Sequence, residues 1–193
     1  MNDLKLSCSC GAVKGRVNAV AIKAGNRIVC CCYDCQAFTE SLDRDKGVLD
    51  DHGGTDIFQV FPSSVEITAG KDQIRCLRLS EKGTNRWYTD CCKTPVGNTL
   101  SAGVPFIGLI SSFWLDKNHW NEMIGPPSAT VQTKCARNLP EDAPEPVGFP
   151  LAVTANIVFK ILSWKLMGKG SPHPFFHQDG TPIAEPINRE SIL

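Results

Sequence analysis

Four of the six residues in Cys30-Cys31-Cys32-Tyr33-Asp34-Cys35 are cysteine. Cys30, Cys32 and Cys35 form a C-x-C-x-x-C spacing, short enough for one loop to aim three sulfurs at a common point. Packing alone gives little reason for such a cluster. Three thiolates around a Zn²⁺ leave one coordination position open, which is how catalytic zinc differs from closed structural zinc. The competing readings are buried small apolar cysteines and a redox dithiol of Cys32 and Cys35. A redox role could also use the vicinal pairs Cys30-Cys31 and Cys91-Cys92. A thioredoxin-like C-x-x-C belongs to a βαβ context, and that context is missing here.

Two more cysteine groups lie on either side in the chain. Cys8-Ser9-Cys10 is a C-x-C pair followed by Gly11, where the backbone can turn tightly and let the sulfurs converge. Cys91-Cys92 precedes Lys93-Thr94-Pro95, a turn whose direction the prolyl ring sets. Ligands from Cys8, Cys10 and Cys92 on one metal would pin the two ends of the intervening region together and contribute folding free energy. Cys76 and Cys135 stand alone and read as buried thiols.

A chain of 193 residues makes one domain, or one domain with an appendage. Twenty Lys and Arg balance twenty Asp and Glu, so no basic surplus points to nucleic acid and no acidic run to a solvated tail. No stretch is long and apolar enough to span a bilayer, and Met1 to Lys5 lacks the apolar run expected of a signal peptide. The expected location is cytoplasmic. There, ten cysteines serve metal or redox chemistry sooner than a disulfide framework.

Short strands separated by turns dominate the first half. Val13 to Val20 reads as a strand bulged at Gly15, and Arg27 to Val29 as a strand feeding the central cysteine loop. Gln36 to Leu42 suits a short helix that places Asp34 or Cys35 near its N-terminus, where the helix dipole favours thiolates. His52, before Gly53-Gly54, is either a loop histidine or a group beside a ligand. Asp56–Phe61, Val65–Thr68 and Ile74–Leu79 suggest an antiparallel meander. Beyond residue 103 the character changes: Phe106 to Trp120 is apolar and aromatic, and Leu139 to Pro146 is a proline-rich connection. Pro150 and Gly168 bracket a helix over Leu151 to Met167. Its polar residues fall on two opposite sides, so it reads as packed between two surfaces, within the chain or in a homodimer. The aromatics of Pro172-His173-Pro174-Phe175-Phe176-His177 are expected to cover the core.

The order, spacing and context of the three cysteine groups resemble the glutathione-dependent formaldehyde-activating enzymes and centromere protein V. The resemblance covers about Leu6 to Leu100. It rests on Cys8-Ser9-Cys10-Gly11-Ala12-Val13, on Cys30 to Cys35, and on Tyr88-Thr89-Asp90-Cys91-Cys92-Lys93-Thr94-Pro95. Ile57-Phe58-Gln59-Val60 and Thr68-Ala69-Gly70 match the family's intervening strands. It implies a mainly β fold, the β-tent, with antiparallel sheets around zinc-binding cysteine loops over residues 1–103. A smaller helical or irregular part then follows over 104–193.

The resemblance also implies two zinc sites. Cys30, Cys32 and Cys35 match the open one. Cys8, Cys10 and Cys92 match three of the four ligands of the closed one. The fourth ligand position falls on Thr89, a poor zinc ligand, and Lys93 replaces the family's glycine. Three outcomes stay open: a weakened site, a site completed by Cys91, or an empty site. The implied activity is carbon–sulfur lyase chemistry, the joining of glutathione and formaldehyde. Zinc at Cys30, Cys32 and Cys35 would activate a small thiol, with Asp34 and His52 as candidates to orient or deprotonate it. The alternative is a zinc-stabilised binding module without catalysis.

Overall fold

A computed structural model describes residues 3–139, 145 and 147–188. The fold is mainly β, in two sheets. The smaller has the order β1 (Leu4–Ser7), β2 (Lys14–Val17), β5 (Val65–Ala69), all antiparallel. The β2–β5 register slips between Lys14 and Gly15, where the bulge was expected. A Cβ on Gly15 would lie 2.5 Å from the Glu66 carbonyl oxygen, so this crossing needs glycine.

The larger sheet has eight strands: β10 (Ala129–Val131), β3 (Asn26–Cys30), β4 (Thr55–Val60), β9 (Ile107–Ile110), β8 (Pro95–Thr99), β7 (Asn85–Thr89), β6 (Ile74–Arg78) and β11 (Pro186–Asn188). Its interior pairings are antiparallel, and the two short edge strands add in parallel. Strands from beyond residue 103 enter this sheet at three places, and β9 sits near its middle. Residues 1–103 and the later segment therefore share one sheet. The expected meander of the strands around Asp56, Val65 and Ile74 does not form. Pro62 ends β4, a helical turn over Pro62–Ser64 redirects the chain, and β5 joins the other sheet. The meander runs instead through β6, β7, β8 and β9.

Period-two alternation sorts the large sheet into two faces. Phe58, Cys76, Trp87 and Leu109 face one core with Leu4, Leu6, Phe113, Trp114 and Trp120. Their sequence neighbours Ile57, Leu77, Tyr88 and Ile110 face a second core with Phe38 and Leu42. Strands β7, β8 and β9 are buried along their whole length because both faces are covered. Trp87 stacks on Phe175 with ring centroids 4.9 Å apart and meets Phe176 edge-on at 5.7 Å, so these aromatics do cover the core.

Four helices complete the fold among the described residues. Helix α1 (Ala19–Ala24), which begins inside the stretch expected as strand, starts because the Asn18 side chain accepts from the Ala21 N–H. Helix α2 (Tyr33–Glu40) begins three residues earlier than expected, because Cys32 caps it. Helix α3 (Lys117–Ile124), within the apolar stretch, starts at Asp116, which accepts from His119 N–H at 3.1 Å. Helix α4 (Leu151–Leu166) lies where the Pro150 and Gly168 signals put it. It is not packed between two surfaces in this chain. Trp164 alone is fully buried, against Phe61, while Leu151, Phe159 and Leu166 are exposed. Most of the proline-rich connection, residues 140–144 and 146, lies outside the described residues. No helix among the described residues is long and apolar enough to cross a membrane.

One ion pair locks the sheet to α3. Arg27 holds Asp56 through two hydrogen bonds, Nε–Oδ1 at 2.9 Å and Nη2–Oδ2 at 2.5 Å, and donates to the Gly125 carbonyl at 2.6 Å. The guanidinium also lies over the Trp114 ring. Asp56→Ala would leave a nearly buried guanidinium without its carboxylate. The expected cost is about 2–4 kcal/mol, measured as a lower urea midpoint.

Candidate metal centres

Centre 1 joins two loops. The β1–β2 loop turns through Gly11 at φ 78°, with the Gly11 N–H on the Cys8 carbonyl and the Cys8 N–H on the Val13 carbonyl. This presents Cys8 and Cys10. The β7–β8 loop turns through Lys93 at φ 53°, left-handed backbone that glycine adopts more cheaply. An ion pair from Lys93 Nζ to Asp90 Oδ1 at 2.6 Å spans that turn and helps hold it.

The turn carries both neighbouring cysteines to the same point. The Sγ–Sγ separations are 3.5 Å for Cys8–Cys10, 3.9 Å for Cys8–Cys91, 3.4 Å for Cys10–Cys91 and 3.8 Å for Cys91–Cys92. All four sulfurs lie within 4.8 Å of one another. Four sulfurs at about 2.3 Å from a zinc ion would be separated by about 3.8 Å along each tetrahedron edge. The donor set therefore fits a four-thiolate metal site. Thr89 stands beside this group rather than in it. Its hydroxyl accepts from the Thr94 N–H at 3.1 Å and lies 3.3 Å from Cys92 Sγ. Of the three outcomes left open by the sequence, the structure assembles the one that includes Cys91.

Without a metal, burial opposes ionisation of Cys92, but hydrogen bonds from Ser9, Thr89 and Thr94 bring its pKa down to about 4. Cys91 moves the other way, up to about 12, through burial and the hydrogen bonds it shares with Cys10 and Cys92.

Centre 2 is built at the end of β3 and the start of α2. Cys30 ends the strand, Cys32 caps the helix by accepting from the Cys35 N–H at 3.4 Å, and Cys35 lies in the first turn. The three sulfurs gather within 4.8 Å of one another. Cys30 and Cys35 are buried and Cys32 is half-buried. The intervening Cys31 is buried outside this group. Its N–H bonds to the Val131 carbonyl, and the Gln36 side chain bridges the Cys31 and Cys135 carbonyls. Cys76 is fully buried, as expected, whereas Cys135 is only half-buried.

Hydrogen bonds from Cys30 and Cys35 hold Cys32 well below the usual thiol range, at about 2, and the Arg86 charge adds to this. Cys30 is raised, through its hydrogen bonds to Cys32 and Cys35. Cys35 ends near 12, because a lowering hydrogen bond with Cys30 is outweighed by donation to Cys32 and by burial. Within the trio Cys32 is thus the sulfur most readily ionised, and a divalent cation would take the place of the thiol protons.

Arg86 is the residue beside this centre that sequence reading missed. It is buried and shares the Tyr88 face of β7, the face that α2 covers. Its guanidinium lies 4.0 Å from Cys35 Sγ, 3.2 Å from Asp34 Oδ2 and 3.5 Å from Asn98 Oδ1, and over the Phe38 ring. An arginine between buried strand neighbours is the sequence signal that points to it. Asp34, one of the two candidates for handling substrate, thus engages Arg86 and leaves most of its carboxylate in solvent. His52 belongs to neither sulfur group. Its N–H bonds to Asp50 Oδ1 and its carbonyl accepts from the Arg137 N–H.

A comparison with curated proteins finds no match. Among solved structures, the chain is similar to a Rhodobacter sphaeroides protein from a structural genomics programme. The identity is 13%, the TM-score 0.44, and the match covers 66% of this chain and 100% of that one. The comparison with protein families is more extensive: residues 2–187 match DUF6151, described as a family of unknown function. With almost the whole chain inside that match, the protein belongs to this family.

Proposed function

We propose that the protein is a two-zinc thiolate protein in which centre 1 is structural and centre 2 binds and activates a small thiol. The observation that carries this reading is the difference between the two donor sets: four sulfurs at centre 1 and three at centre 2, among the described residues. A four-thiolate set closes a zinc site, and a three-thiolate set leaves a position for a guest. Zinc bound at centre 2 would supply a Lewis-acidic position that lowers the pKa of an incoming thiol.

The chain's own residues support that role. Arg86 places a buried positive charge beside the sulfurs, where it offsets their negative charge. Asp34 orients Arg86 while staying mostly in solvent, at the edge of the centre that a substrate would approach. The reaction we favour is the addition of a glutathione-like thiol to formaldehyde, as in the formaldehyde-activating enzymes that the cysteine pattern resembles. The new C–S bond forms from the thiolate, the thiol proton ends on the former carbonyl oxygen, and no electrons are exchanged with a third partner. The proposed setting is the cytoplasm. The second reading, a zinc-stabilised module that binds a partner or a second copy, draws on the uncovered outer face of α4.

Magnetisation-exchange NMR of zinc-loaded protein with glutathione and formaldehyde separates the two. The expected result is faster exchange with S-hydroxymethylglutathione than in buffer, lost in Cys32→Ala. Exchange at the buffer rate, with zinc at full occupancy, would leave only the binding module. In cobalt-substituted protein, added thiol should change the sulfur-to-cobalt charge-transfer band, and Cys32→Ala should remove that response.

A further inference from the structure

A notch of about 170 Å³ opens beside centre 1. It lies where the β1–β2 loop, the segment after α2, the start of β8 and the start of α3 meet. Arg44, Lys46 and Lys117 line it together with the hydroxyl residues Ser9, Thr94 and Ser112. No carboxylate is among its lining residues. None of the three cations takes part in an ion pair among the described residues.

The cations differ in how they are held. Arg44 is set in place: its Nε donates to the Cys92 carbonyl at 3.1 Å, one Nη donates to the same oxygen, and that Nη also meets Ser9 Oγ at 3.2 Å. Lys46 and Lys117 are exposed and approach from separate segments. Three cationic residues lining one concavity give it a positive potential that attracts an anion, although Lys46 and Lys117 also border neighbouring hollows that carry Asp45, Asp50 and Asp51, and Asp3 and Asp116, respectively. The Ser9 N–H donates to Thr94 Oγ1 at 3.1 Å, and the Ser9 and Thr94 hydroxyl oxygens lie 3.1 Å apart. The wall is therefore preorganised on one side and adjustable on the other. A water molecule occupies about 30 Å³ of liquid, so the space admits one tetrahedral or planar oxyanion with a few waters.

We propose that this notch binds an oxyanion, the carboxylate or phosphate group of a small molecule, next to centre 1. Arg44 supplies the fixed donors and the two lysines close on the anion as mobile point charges. The site does not depend on chemistry at centre 2.

The test uses the zinc-loaded, ¹⁵N-labelled full chain at low ionic strength. Inorganic phosphate and acetate are titrated separately, with chloride as the control for ionic strength. The expected result is saturable movement of the Ser9, Gly47 and Thr94 amide signals with phosphate or acetate and not with chloride. Tighter binding of phosphate assigns a phosphate ester, and equal or tighter binding of acetate assigns a carboxylate. The double variant K46Q/K117Q, with both changes at exposed positions, should keep its zinc and weaken binding about tenfold. Raising the salt should weaken wild-type binding as the charges are screened. The proposal is overturned if no saturable movement occurs at these amides, or if the double variant binds as tightly as the parent. It is equally overturned if the double variant loses metal from centre 1, because the lysines would then serve only to balance the thiolate charge.

Discussion

Cys91→Ser is expected to remove one zinc equivalent from the purified protein, and Thr89→Val is expected to remove none. Cys91 stands within 4 Å of three other sulfurs, while the Thr89 hydroxyl is engaged with the Thr94 N–H. Cys32→Ala should remove the second equivalent and leave the first in place, since no residue is shared between the two groups. Elemental analysis of the three variants decides the matter. Zinc lost from Thr89→Val and kept in Cys91→Ser would overturn the assignment.

Loss of centre 1 should also cost stability. It is the one sulfur cluster among the described residues that ties the β1–β2 loop to the β7–β8 loop, two segments about eighty residues apart. A ligand that binds only the folded state stabilises it by about 4 kcal/mol at a thousand times its dissociation constant. Chelation is expected to lower the urea midpoint by a comparable amount in the wild type and by much less in Cys91→Ser. The pH dependence has a definite sign. Thiolates must be deprotonated to hold the ion, so zinc is released as pH falls and protons reclaim the sulfurs. In the metal-free protein, Cys92 has a folded pKa near 4, below the ordinary thiol value of 9.0. Its contribution is fully present above the ordinary value and is lost as pH falls towards 4.

Trp87→Ala is expected to be the most destabilising single substitution in the core, at about 3–5 kcal/mol. The indole is fully buried, stacks on Phe175, meets Phe176 edge-on and donates to Thr99 Oγ1 at 2.9 Å. Alanine would empty that space and release the segment around Phe175 from the sheet. Trp87→Phe keeps a ring and loses the hydrogen bond, so it should cost less, about 1–2 kcal/mol. Urea denaturation gives both values, and proteolysis between residues 170 and 180 should accelerate in the alanine variant first. A cost below about 1 kcal/mol for Trp87→Ala would mean that Phe175 and Phe176 are held by other contacts.

Much of the local architecture was legible in the chain. The strands around Arg27, Asp56, Val65 and Ile74 appear within a residue or two of their expected places, because alternation and turn residues act over short distances. Helix α4 follows from Pro150 and Gly168 for the same reason. The C-x-C-x-x-C group gathers because a strand end and the helix start that follows it within three residues present all three sulfurs. Helices α1 and α3 were not legible. Each is short and lies in a stretch whose strand-like or apolar character masked its single capping residue.

Sequence alone thus established a mainly β chain with eight of its ten cysteines in three groups, because cysteine spacing and period-two burial are properties of neighbouring residues. The three-dimensional fold settled the rest: that Cys91 rather than Thr89 joins Cys8, Cys10 and Cys92, that β5 leaves the large sheet, and that Arg86 stands beside Cys35. Each of these depends on contacts between segments tens of residues apart. Such contacts follow from how the two sheets and their covering helices fill space together, and no local pattern encodes that.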